Sequence, residues 1–141
     1  MYEDYITTQD EAICHLFLHC CFKDGTFSPD EISNVASKFV DLQMNRDLNF
    51  KEELMHYQSY KTGITDESAY LEYLLKLINA VQALALYSYC VELCLSDQLL
   101  SSTEEALLQK IAALLDITGE EQTVITKLST QRKAVELEKI F

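Results

Sequence analysis

Residues 13–31 read I-C-H-L-F-L-H-C-C-F-K-D-G-T-F-S-P-D-E. An apolar helix is followed by an acidic turn and then by the start of a second helix. Much the same string returns 73 residues later. Cys21-x-x-Asp24-x-x-Phe27-Ser28-x-x-Glu31 aligns with Cys94-x-x-Asp97-x-x-Leu100-Ser101-x-x-Glu104, with the same spacing from Asp to Ser to Glu. Two copies of one helix–turn–helix pattern predict an all-α chain built from two related halves, about 8–63 and 64–141.

The local signals around the repeat agree. Thr8-x-x-Glu11 is a capping box, in which hydroxyl and carboxylate each take an orphan backbone N–H. Ile13, Leu16, Phe17, Cys20 and Cys21 recur at helical spacing, and Leu18 and Phe22 widen that face until most of the helix should be covered. Ser28-Pro29-Asp30-Glu31 combines an N-cap, a proline at the first helical position and a carboxylate at the third. The helix it opens is expected over about 29–44, burying Ile32, Val35, Ala36, Phe39 and Val40. Asn49 opens another, about 50–60, using Phe50, Leu54 and Tyr57. From Thr65 the pattern is helical through Tyr70, Tyr73, Leu74, Leu77 and Ile78, and Asn79-x-x-Gln82 predicts a break. Residues 80–95 are apolar on nearly every side, which in a water-soluble chain means the middle of the fold. This helix is the counterpart of the first. Ser101-x-x-Glu104 begins a helix with Leu107, Leu108, Ile111, Leu114 and Leu115 as its core stripe. Thr118 opens the last, with Val124, Ile125 and Leu128, and a tail carrying Ala134, Leu137 and Ile140–Phe141. The expected total is about seven helices and no strands.

Composition restricts the function. The 141 residues suffice for one core without disulfide or metal staples, and 48% apolar content excludes disorder. Only three glycines and one proline argue against an all-β fold. A formal charge of −12, with 11 Lys and Arg against 23 carboxylates, excludes a phosphate-tracking surface and hence nucleic acid. The most apolar window, 80–95, is too short to span a bilayer and is broken by Gln82, Ser88 and Glu92. The acidic opening Met-Tyr-Glu-Asp-Tyr is unlike a secretory leader. Five cysteines without secretory context suit free thiols in the cytoplasm.

An apolar helix, then Asp-Gly-x-Phe-Ser-x-x-Glu, then an amphipathic helix, given twice, resembles the TerB-like domain, a family named for bacterial tellurite-resistance proteins. The resemblance covers about residues 13–118. It implies an all-helical fold of two halves related by a pseudo-two-fold axis, and paired acidic loops proposed to hold metal. Carried across by position, the implied metal residues are Asp24 and Glu31 in the first copy and Asp97 and Glu104 in the second. Gln98 stands where the family has Gly.

Each candidate has a plainer explanation beside it. Ser28 with Glu31, and Ser101 with Glu104, are sufficiently explained as helix caps, and the Asp residues as turn acceptors. Capping needs only local geometry and is the simpler reading. The functional one is a hard-cation site for Ca²⁺ or Mg²⁺, since oxygen ligands from two loops suit such ions. An EF-hand is excluded, because Val35 and Leu108 fall where its bidentate Glu would stand. His15 and His19, four apart on a helix, have a spacing that can hold zinc, but no H-E-x-x-H follows from it and no CxxC occurs. Cys90 and Cys94 read as small apolar core residues. The eight tyrosines line the core, with hydroxyls at its rim. No phosphate loop, dinucleotide fingerprint or nucleophile elbow is present. The expectation is a non-enzymatic, cytoplasmic interaction or stress-response domain with a protein partner; the alternative is a small metal-dependent enzyme or a thiol-redox protein.

Overall fold

A computed structural model of the chain describes residues 1–23, 28–95 and 100–139. The described residues form seven α-helices and no strand: α1 (Gln9–Phe22), α2 (Pro29–Asp41), α3 (Phe50–Tyr60), α4 (Glu67–Leu77), α5 (Ala83–Cys94), α6 (Ser102–Leu114) and α7 (Gly119–Glu138). Short 3₁₀ turns sit at Tyr2–Asp4, Met44–Arg46 and Lys61–Gly63.

Six helix starts owe their position to a side-chain cap followed at N3 by the backbone N–H it receives. Thr8, Ser28, Asn49, Ser101 and Thr118 each accept from the residue three places on. Asp66 caps α4 in the same way through Ala69. The exception is α5. A break does fall between Leu77 and Ala83, but Gln82 makes no capping bond and the expected Asn79–Gln82 box does not form. Asn79 instead donates its backbone N–H to Gln9 Oε1 at 2.7 Å, a tertiary contact that outcompetes the local one.

Helix α1 is the axis of the fold. It packs against α2, α3, α4 and α5, and every residue from Cys14 to Phe22 is buried. Helix α5 packs against α1, α6 and α7 and buries Leu86, Tyr87, Cys90, Val91, Leu93 and Cys94. The start of the expected 80–95 segment departs from expectation: Val81, ahead of α5, is 79% exposed and Leu84, in its first turn, 42%. The all-round apolar pattern therefore describes the C-terminal two-thirds of that segment.

The 73-residue offset of the sequence repeat is carried by the backbone. Helices α2 and α6 start and stop 73 residues apart, each behind a serine cap. Each is followed by a non-glycine residue in the left-handed region, Gln43 at φ 62° and Asp116 at φ 57°, also 73 apart. The seam between α1 and α5 repeats the relation. The Cys21 thiol donates to the Leu93 carbonyl at 3.8 Å, and the Cys94 thiol donates to the Cys20 carbonyl at 3.8 Å.

Several expected core positions are not in the core. Helix α2 ends at Asp41 and not at 44, because the left-handed Gln43 turns the chain out; Val40 is exposed and Ile32 only half-buried. Leu114, Val124, Leu128 and Leu137 are exposed as well. Helix α7 buries no residue fully; it lies on the outside of α5 along a half-buried face that includes Ile125 and Ala134. Ile140 and Phe141 lie outside the described residues.

Candidate functional site

The helices that precede the two acidic turns, α1 and α5, meet at their ends. Because Cys21 touches Leu93 while Cys94 touches Cys20, α1 and α5 end side by side, and the chain leaves both helices at one place. It re-enters helix at Ser28 and Ser101. The Glu31 N–H donates to Ser28 Oγ at 3.2 Å, and the Ser28 hydroxyl donates to Glu31 Oε1 at 3.2 Å. At the second copy the Glu104 N–H donates to Ser101 Oγ at 3.2 Å, and the Ser101 N–H donates to Glu104 Oε1 at 3.0 Å. Glu104 is buried and Glu31 half-buried. Burial first, then Cys94, Glu31 and Glu104, push the thiol of Cys21 up from its ordinary value.

Glu31 and Glu104 are each tied to a helix cap, at matching places in the two copies of the repeat. Asp24, Asp97 and Gln98 lie outside the described residues. Among the described residues no three His, Cys, Asp or Glu side chains form a group that could hold a metal ion. The two glutamates do not make an ion site by themselves.

The zinc spacing of His15 and His19 serves a different purpose, which the sequence did not disclose. Both imidazoles are buried on α1, and each is held between a tyrosine and a glutamate. His15 has Tyr60 Oη at 2.6 Å from Nδ1 and Glu53 Oε1 at 2.8 Å from Nε2. His19 has Tyr57 Oη at 2.8 Å from Nδ1 and Glu67 Oε2 at 2.8 Å from Nε2. With both glutamates ionised, each Nε2–H donates to a carboxylate and each Nδ1 accepts from a phenol. Tyr60 then accepts from Tyr70, whose oxygen is 2.6 Å away. Every polar atom of the two imidazoles is satisfied within the protein, which leaves no nitrogen for a metal.

Glu67 is the hub of this network. Besides His19 it accepts from Lys23 at 2.5 Å and from Lys110 at 3.1 Å, so one carboxylate joins α4 to both α1 and α6. The His19 hydrogen bond, and after it the two lysines, hold Glu67 far below the usual carboxylate range despite its burial. Tyr57, Tyr60 and Tyr70 are all raised, chiefly by burial.

A signal for this network did exist. Glu53, Tyr57 and Tyr60 stand at i, i+4 and i+7 on α3, so a carboxylate shares the buried face with two tyrosines. A carboxylate on an apolar face requires a partner inside the protein.

All five cysteines are free and buried. Burial pushes Cys14 up, and Cys20 is raised well above its ordinary value, first by its hydrogen bond to Cys90. Thiols in this state are packing residues; nucleophilic ones need the opposite environment.

The model of the family described as tellurite resistance protein TerB matches residues 10–127. The chain belongs to the TerB family. No curated protein and no solved structure matches it. The TerB match begins at the start of α1 and ends inside α7, so it takes in both acidic turns and the whole seam between them. No described helix is long and apolar enough to cross a membrane.

Proposed function

We propose that this TerB-family chain works by binding and not by catalysis, as a cytoplasmic stress-response domain of two halves, about 8–63 and 64–141, that engages a protein partner. Its paired acidic turns associate with a divalent cation of the Ca²⁺ or Mg²⁺ type. The observation that carries this reading is the meeting of α1 and α5 at their ends, since α2 and α6, with Glu31 and Glu104 in their first turns, begin a few residues after each. Carboxylates gathered at a shared place repel one another unless a cation neutralises them. Glu31 and Glu104 would contribute, with Asp24 and Asp97 completing the oxygen set that a hard cation requires. The buried, raised thiols favour this reading over a thiol-redox protein.

The test is a thermal melt with millimolar Ca²⁺ or Mg²⁺ against sodium chloride at matched ionic strength. A ligand that binds only the folded state at ten times its Kd stabilises it by about 1.4 kcal/mol. Divalent salts should therefore raise the melting temperature beyond sodium chloride, which accounts for the screening any chain at −12 enjoys. Asp24→Asn with Asp97→Asn should remove the specific part alone. Equal stabilisation by the two salts would leave Glu31 and Glu104 as helix caps.

A further inference from the structure

The two His–Tyr–Glu rungs look alike but are not balanced alike. Glu67 has two lysines as well as His19. Glu53 is more deeply buried, at 4% exposure, and no lysine or arginine pairs with it among the described residues. One of its oxygens receives His15 at 2.8 Å. The other, Oε2, faces His56 Nδ1 at 3.9 Å, beyond hydrogen-bond reach. That Nδ1 is itself buried and has no hydrogen-bond partner. A buried carboxylate oxygen and a buried unpartnered nitrogen therefore confront each other across a gap that a small side-chain rotation would close once Nδ1 carries a proton.

The rings around this gap form a column. His15 stacks on Tyr60 with centroids 5.7 Å apart and planes at 8°. Tyr60 stacks on Tyr5 at 6.2 Å and 19°, and Tyr5 stacks on His56 at 4.5 Å and 24°. Glu53 faces both ends of the column, bonded to His15 and standing short of His56. Tyr5 is the only one of these residues from the segment before α1.

We propose that His56 and Glu53 form a proton-binding clasp that fastens the N-terminal segment to α1 and α3. On protonation of His56, Nδ1–H donates to Glu53 Oε2, the buried carboxylate gains its counter-charge, and the imidazolium lies against the face of Tyr5 as a cation–π pair. The carboxylates that face the clasp favour the added charge. On α3 they are Glu52, whose Oε1 is 4.0 Å from His56 Nε2, and Glu53 itself. From α1 come His15, bonded to Glu53, and Cys14, whose thiol is pushed up by burial first and then by Glu53 and Glu11. From the N-terminal segment comes Tyr5. The neighbouring cations are engaged elsewhere: Lys61 lies over the Phe22 ring, and the terminal amine pairs with Asp4 and Glu3.

The experiment follows imidazole ¹⁵N shifts of the three histidines in the full chain from pH 8 to pH 5.5, together with amide exchange over residues 2–8. Exchange is expressed as protection factors, which removes the intrinsic pH dependence. Protonation of His56 should coincide with a rise in protection across residues 2–8 of about threefold, the factor its cation–π contact with Tyr5 supplies. His56→Asn should stay folded and lose the rise. Glu53→Gln should also lose it; if that variant does not fold, His56→Asn decides alone. Protonation of His56 without added protection, or an unchanged rise in His56→Asn, overturns the proposal.

Discussion

Replacing Glu67 by glutamine removes one negative charge at the point where α1, α4 and α6 meet, and leaves the side chain's shape nearly unchanged. The Glu67 side chain is 15% exposed, Lys23 24% and Lys110 42%. The Lys110 contact is open enough to contribute little. The His19 bond, buried and 2.8 Å long, and the half-buried Lys23 contact carry most of the effect. Two charge-assisted bonds discounted for that partial exposure give a loss of about 2 kcal/mol. In a domain of this length the melting temperature should fall by about 6 °C at pH 7. The pH dependence sharpens the test. Glu67 is held below its unfolded value, so its contribution is complete above the ordinary carboxylate range and disappears as pH falls toward the folded value. The gap between wild type and Glu67→Gln should therefore be full at pH 7 and narrow steadily below about pH 4. Thermal melts by circular dichroism at pH 7, 5, 4 and 3 measure it. A gap below about 0.5 kcal/mol at pH 7, the scatter of ordinary surface substitutions, would refute the assigned role. So would a gap that does not change with acid.

Other outcomes follow from the same contacts. Ser28→Ala and Ser101→Ala should each cost about 1 kcal/mol in denaturant melts, since each removes an N-cap acceptor. Tyr60→Phe should cost about 1–3 kcal/mol, because His15 Nδ1 loses its donor and Tyr70 its acceptor while both stay buried; a change within error would mean that water or a rearranged Tyr70 replaces the phenol. In the native protein a thiol reagent should find no fast-reacting cysteine, and all five should react in denaturant. Cys94→Asp should cost several kcal/mol by placing a charge in the α1–α5 seam.

The helices were legible because their boundaries are set by neighbours in sequence. Serine or threonine with a carboxylate three places on fixed four starts, and the start of α3 at Phe50 and its end at Tyr60 agree with the expectation from Asn49 and Tyr57. The α1–α5 seam was legible as well, because a helix apolar all round has nowhere else to go. What failed depended on partners far along the chain. Asn79 gave up a local cap for Gln9, seventy residues away, and Gln43 adopted a left-handed turn that no periodicity encodes. Leu114, Val124 and Leu128 fit a helical stripe, yet α6 and α7 have no further layer outside them to bury it. The polar network failed for a related reason. His15 and His19 share a face of α1 whichever partner they meet, so their spacing is equally compatible with a metal and with two glutamates. The choice between those was made on α3 and α4, where Glu53 and Glu67 arrive 38 and 48 residues later. The spacing within α3 then follows from the pairing on α1. Glu53 and Tyr60 bracket His15, and Tyr57 lies one turn from Tyr60, where it reaches His19. A histidine pair four apart on α1, facing Glu-x₃-Tyr-x₂-Tyr on α3 and Glu67 on α4, needs no ion to satisfy every imidazole nitrogen, and the unpartnered nitrogen lies outside that pattern, on His56.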